Sequence, residues 1–147
     1  MNFLRNIGLI LLFASSIAFA KPPILFELER LDSSESFKLS NYIGKKTIII
    51  NFFASWCTSC ITEIPELNAL KKKYVGNQYL FIAINAGERS KVVKKFLKKY
   101  PFDFEILLDT KREVAKSYGI TELPRTLIIS KQGKIIFNEN RPPTSLH

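Results

Sequence analysis

The sequence predicts a single α/β domain built on a strand–helix–strand unit, and three observations predict it. Ile48 to Phe53 is an apolar, largely β-branched run broken only by Asn51, and Tyr79 to Ile84 is a second apolar run. Such runs are strands buried on both faces of a sheet. Between them Ile61, Ile64, Leu67 and Leu70 recur at helical spacing, so a helix spans about Thr58 to Tyr74. Strand, helix and strand at this length make a parallel unit with a right-handed crossover. A chain of 147 residues that is 46% hydrophobic is enough for one domain with a proper core.

The remaining elements follow in chain order. Pro22-Pro23 suits an exposed linker, and Phe26 to Leu31 with Phe37 to Leu39, parted by Asp32-Ser33-Ser34, reads as an N-terminal β-hairpin. Gly44-Lys45-Lys46 turns into the central strand. Pro65 lies inside the helix and is expected to kink it, because it cannot donate to the carbonyl of Ile61. Gly76-Asn77 ends that helix. Asn85-Ala86-Gly87 reads as a loop, and Ser90 as the cap of a second helix that stops before Pro101. Phe104 to Leu108 is a short strand. Thr110 and Glu113 have capping-box spacing, starting a short helix through Tyr118 that Gly119 stops. Leu127 to Ser130 and Ile135 to Asn138 form a closing hairpin. Arg141-Pro142-Pro143 ends regular structure.

Residues 1–20 are read as a separate signal peptide, with residues 21–147 as the domain. Arg5 supplies a positive start, Ile7 to Phe13 an apolar stretch, and Ala18-Phe19-Ala20 a small-x-small cleavage site. The whole apolar stretch, about fourteen residues, is shorter than the roughly 20 that a membrane-spanning helix needs. A cleaved leader and an exported, periplasmic or extracytoplasmic protein are therefore expected, with an uncleaved N-terminal anchor as the alternative. Loss of the leader removes Arg5 and no acid, lowering the net charge of +9 by one. Much of the excess lies in Lys71 to Lys73 and in Lys91, Lys94, Lys95, Lys98 and Lys99. The second set reads as the wet face of an amphipathic helix, or as an attraction for anionic lipid or acidic partners. Export and the lack of a recognition motif exclude a nucleic-acid role.

Chemistry concentrates where the first buried strand meets the helix. The two cysteines of the chain, Cys57 and Cys60, stand there. A ring this small constrains the unfolded chain little, so the pair makes a poor structural staple. A zinc site needs four ligands, and the one histidine is His147 at the C-terminus. Haem attachment needs histidine after the second cysteine, where Ile61 stands. Thiol–disulfide exchange fits better than these or an inert disulfide. A helix N-terminus favours the thiolate, so Cys57 is expected to attack; Cys60, one turn in, is expected to resolve the mixed disulfide.

Asn51-Phe52-Phe53-Ala54-Ser55-Trp56-Cys57-Thr58-Ser59-Cys60, followed by Glu63-Ile64-Pro65-Glu66-Leu67, resembles the exported thioredoxin-like TlpA/ResA/CcmG family. The likeness continues through Lys91 to Tyr100, Leu107-Leu108-Asp109, Val114 to Ile120 and Leu123-Pro124-Arg125-Thr126, covering residues 24–138. It implies a thioredoxin fold with an N-terminal β-hairpin and a helix–strand insert around residues 90–108. It also implies a reductant of protein disulfides with no cofactor beyond a redox-active Cys57–Cys60 disulfide. The implied partners are disulfide-bearing exported proteins, among them the C-x-x-C-H pair of apocytochrome c, and a membrane thiol transporter as electron donor. A monomer is expected.

The resemblance also assigns residues. Pro124 matches the cis-proline that faces the disulfide, and with Leu123 and Arg125 it would dock an extended substrate peptide; an ordinary bend is the plain alternative. Glu63 matches an acid that would move protons for Cys60, since cytoplasmic thioredoxins carry a buried aspartate where this chain has Asn51. A solvated helix glutamate is the plain alternative. Trp56 matches the aromatic that shields the disulfide, with a packing role equally open. Arg125 departs from the small residue usual at its position, and would bring a cation near Cys57 or point to water. The family's closing C-terminal helix is missing, and residues 139–147 cannot supply it. One sheet face is then expected to be uncovered, pointing to truncation, a frameshift or a compensating partner. Two other functions suit the same features: a disulfide-forming oxidant and a non-catalytic binding module. The P-x-x-x-T-x-x-C loop of peroxide reduction is absent.

Overall fold

In a computed structural model, which describes residues 21–146, the central strand is β3 (Thr47–Phe53). The leader read at residues 1–20 and His147 lie outside the described residues. Before β3 come β1 (Glu27–Arg30), β2 (Ser36–Lys38) and a 3-10 turn at Leu39–Asn41. After it come α1 (Thr58–Lys73), β4 (Tyr79–Ala86), α2 (Ser90–Lys99), β5 (Glu105–Asp109), α3 (Glu113–Ser117), β6 (Arg125–Ile129) and β7 (Ile135–Glu139). Among the described residues they form one sheet in the order β2-β1-β5-β4-β3-β6-β7. Strands β3, β4 and β5 run parallel; β1, β6 and β7 pair antiparallel with their neighbours. This is the thioredoxin-like arrangement expected, with the hairpin at one edge and α2–β5 as the insert.

Alternation along β3 sorts the core into two layers. Ile49 and Phe53 point to one face, where they meet Ile64, Leu67 and Leu70 of α1 and Val93 and Phe96 of α2. Ile48, Ile50 and Phe52 point to the other face, against Val114 and Ala115 of α3 and Phe37 of the hairpin. All five β3 residues are fully buried, which explains a run that carries no polar face.

Helix α1 carries Pro65 inside it, as expected, on its exposed side. Several other local expectations change. Strand β4 extends through Asn85 and Ala86, both buried, so the expected loop shrinks to Gly87 and its neighbours. Ser90 is the first residue of α2; Arg89 is the cap residue, and its side chain makes no capping bond. The Thr110–Glu113 capping box does not form either. Arg112 caps α3 from a left-handed conformation, and the Ala115 N–H donates to Asp109 Oδ2 at 2.8 Å. A carboxylate at the end of β5 thus does what a local cap was expected to do. The Lys21 to Ile24 segment is docked rather than free: Ile135 N donates to Lys21 O, and the Tyr118 hydroxyl to Ile24 O.

No helix follows β7 among the described residues, yet the sheet face beside α1 is not bare. Pro142, Pro143 and Leu146 are buried, and Leu146 joins the layer that holds Tyr74, Ile128 and Phe137. The Leu146 N–H donates to the Tyr74 hydroxyl at 3.3 Å, and the Arg141 guanidinium lies over the Phe137 ring. A short irregular tail thus gives this face apolar cover. Leu146→Ala should lower the unfolding free energy by about 2 kcal/mol, the low end of the range for a buried leucine. Urea unfolding at constant pH measures it, and a change near zero would mean that the tail covers nothing.

Candidate active site

Strand β3 carries the chain straight into the site. It ends at Phe53; Ser55 and Trp56 then make a turn in which Cys57 N donates to Ala54 O at 3.2 Å. Cys57 becomes the N-cap of α1 in extended conformation, and its Sγ accepts the N–H of Cys60 at 3.2 Å. Asp or Ser usually supplies such a capping acceptor; here a sulfur does. Cys57 and Cys60 are joined as a disulfide, with Cα atoms 5.3 Å apart. Both cysteines are buried, Cys57 at 6% exposure and Cys60 at 2%, so Cys57 is the more accessible residue. On reduction, the same N–H and the positive end of a 16-residue helix would favour a thiolate at Cys57.

Trp56 is 66% exposed, so it packs into no core and presents an apolar surface beside Cys57. Beneath the helix, Asn51 is 1% exposed and its Nδ2 donates to Thr126 Oγ1 at 3.0 Å. A neutral pair therefore occupies the layer under α1, and no carboxylate of β3 reaches it.

Glu63 lies three residues beyond Cys60, a spacing that makes the two neighbours on the helix surface. It is half-buried, and its Oε2 is buried without a hydrogen-bond partner. Burial, reinforced by the nearby charge of Glu66, raises its carboxyl from the ordinary 4.5 to about 7. A carboxyl that titrates near neutrality can both take and return a proton.

The register Phe52↔Arg125 brings the β6 start to the sheet end where β3 meets α1. Leu123 and the buried Pro124 precede that start, and the bond between them is cis. Leu123 packs half-buried against both core layers. Arg125 differs from the others. It shares the sheet face of Leu127, opposite α1, and its Nη1 donates to Asn138 Oδ1 at 3.4 Å. The cation thus reaches across to β7 rather than to the disulfide.

Glu88 is the functional candidate that sequence reasoning missed. Its Oε2 accepts from Ser55 N at 2.8 Å and from Asn85 Nδ2 at 2.8 Å, and its Oε1 accepts from Ser55 Oγ at 2.5 Å. The Asn85–Glu88 spacing is local and could have suggested a polar turn. The partner Ser55 lies 33 residues away, and only the pairing of β3 with β4 brings it close.

A C-x-x-C pair capping a helix, on a mixed sheet whose flanking strand starts at a proline, defines a thioredoxin-like dithiol–disulfide domain. The chain belongs to the AhpC/TSA family, whose sequence model matches residues 20–138. It is 35% identical over 102 residues to the thiol-disulfide oxidoreductase ResA of Bacillus thuringiensis subsp. konkukian, covering 69% of this chain and 58% of that protein. The corresponding protein of Bacillus subtilis is 32% identical over 104 residues, with 71% and 58% covered. The chain thus spans less than two thirds of the length of these relatives. Among solved structures, a thiol:disulfide interchange protein of the thioredoxin family from Chlorobium tepidum superposes with a TM-score of 0.71 at 26% identity. That match covers 86% of this chain and 89% of the other.

Glu63 should leave a signature in stability. Between 4.5 and about 7 its folded carboxyl holds a proton that the unfolded chain releases. Its contribution is therefore complete below the lower value and is lost as pH rises through the upper one. Urea unfolding of the disulfide form at roughly pH 4 and pH 8 should show the wild type losing stability relative to Glu63→Gln. A difference between the two proteins that stays constant with pH would refute the burial of this charge.

Proposed function

We propose that the protein is an exported, monomeric thiol–disulfide oxidoreductase that works as a reductant of protein disulfides. The observation that carries this reading is the Cys57 sulfur capping α1, with Cys60 one turn behind it. The family membership and the ResA relatives support the class of reaction. The leader-like residues 1–20 support export, and the C-x-x-C-H pair of apocytochrome c is the proposed substrate.

Starting from the reduced dithiol, the Cys57 thiolate attacks one sulfur of a substrate disulfide. A bond forms between Cys57 Sγ and that sulfur, and the other substrate sulfur leaves as a thiolate that takes a proton. Glu63, as carboxylate, then draws the proton of the Cys60 thiol, directly or through one water. The Cys60 thiolate attacks Cys57 Sγ, forms the disulfide and expels the second substrate sulfur, which Glu63 can reprotonate. The substrate gains two electrons from Cys57 and Cys60 and two protons, one from the Cys60 thiol by way of Glu63 and one from solvent. An extracytoplasmic dithiol, proposed as a membrane thiol transporter, must return the pair to its reduced form.

Exposed Trp56 and the Leu123-Pro124 turn flank the expected approach to Cys57. An apolar side chain on Trp56 and a peptide laid along the turn would hold the scissile disulfide in line. Arg125, turned towards Asn138, is left out of the attack and would contact only the far end of such a peptide.

Equilibration with a dithiothreitol series should give a reduction potential near or below about −270 mV, the thioredoxin value. A potential near roughly −120 mV would overturn the reductant reading in favour of disulfide formation. Cys60→Ala should accumulate a mixed disulfide that mass spectrometry detects, whereas Cys57→Ala should form none and reduce no insulin. Absence of insulin reduction by the wild type would favour the binding module.

A further inference from the structure

The half-buried carboxylate of Glu88 accepts three hydrogen bonds, two of them from one residue of the turn that presents Cys57. Ser55 offers both its N–H and its hydroxyl, and nothing within β3 requires either. Glu88 is itself tied back, since its N–H donates to Asn85 Oδ1 at 3.2 Å. Asn85 is fully buried in β4, paired in register with Phe53. The clamp therefore stands on a buried strand in the middle of the sheet. Gly87 lets the chain turn back from β4 in time: its φ is +100°, and a side chain there would press on the stem of Arg112.

We propose that Glu88 is a positioning residue for disulfide exchange: through Ser55 it holds the Ala54–Trp56 turn so that Cys57 keeps its place as the N-cap of α1. The inference rests on the exchange reaction proposed above and adds a residue to it. Glu88 touches neither cysteine sulfur. It acts through the turn, by removing freedom from the two residues that set the direction of the Cys57 side chain. Without it, Ser55 and Trp56 would be held by backbone alone, in a chain that has just left its last ladder bond. The Cys60 N–H would then point at the thiolate only part of the time, and attack would lose both alignment and nucleophile. Because Glu88 immediately precedes Arg89 and Ser90, the same bonds tie the start of α2 to the active-site turn.

Charge and placement can be separated, because a glutamine can meet the same partners. Its Oε1 can accept from Ser55 N and Asn85 Nδ2, and its Nε2 can donate to Ser55 Oγ. Glu88→Gln should therefore stay within about threefold of wild type in exchange rate, whereas Glu88→Ala should lose about tenfold or more, as misplacement of reacting groups does. Ser55→Ala keeps the charge and one of the two bonds and should fall between them. It also covers the case in which Glu88→Ala fails to fold. Alkylation of reduced Cys57 by iodoacetamide across pH gives a second readout that needs no substrate. Its half-maximal pH should rise in Glu88→Ala and Ser55→Ala and stay in place in Glu88→Gln. Unchanged alkylation profiles and exchange rates in Glu88→Ala and Ser55→Ala would overturn the proposal. So would a Glu88→Gln variant as impaired as Glu88→Ala, which would make the charge the agent. If the wild type exchanged no disulfides, the proposed function would fall, while the alkylation profiles would still decide whether Glu88 places Cys57.

Discussion

The hydrogen bond from the Cys60 N–H to the Cys57 sulfur depends on a strand, a turn and a helix meeting at one point. The strand is β3, buried on both faces and paired on both sides, which delivers the chain to the end of the sheet without play. The turn must stop after Trp56, so that Cys57 falls on the cap and not inside the helix. The helix must be long enough to carry a dipole and to anchor itself in the core, which α1 does through Ile64, Leu67 and Leu70. Each of these serves packing and chemistry together. The core that stabilises the domain is the same core that aims the sulfur.

Three carboxylates show how placement sets what an acid does. Asp109 is buried and satisfied by the Ala115 N–H, so it works as a helix cap. Glu88 is half-buried and satisfied by Ser55 and Asn85, so it works as a clamp. Glu63 has one oxygen buried without a partner, and its titration moves to about 7. An unsatisfied buried carboxylate is costly as an anion, and that cost suits Glu63 to the proton transfer proposed for it. Asn51, paired with Thr126, adds no charge to the layer under α1.

The two expected caps that failed have one cause. Ser90 and Thr110 are good capping residues by type, yet the tertiary path put Arg89 and Arg112 at the cap positions. For α3, the side chain of Asp109 then answered the Ala115 N–H from a neighbouring strand end. The tail follows the same logic. Residues 141–146 form no regular element, but Leu146 found an apolar face that needed cover. Hydrophobic area is non-directional, so an irregular segment can fill part of the place of a helix.

The sequence by itself determined the βαβ core, the hairpins at both ends, the inserted helix and the C-x-x-C at a helix start. Each of these is written in periods of two or 3.6, or in spacings of a few residues, and local geometry reads such signals directly. It also marked Glu63 and Pro124, through a resemblance carried by contiguous motifs. Only the tertiary structure decided that Trp56 stands in solvent and that Arg125 turns to the far face. Only the tertiary structure brought Glu88 to Ser55 and Leu146 to Tyr74. Those outcomes depend on strand register and on which face a neighbour leaves open. Contacts between residues 33 and 72 positions apart leave no period in the chain that could announce them.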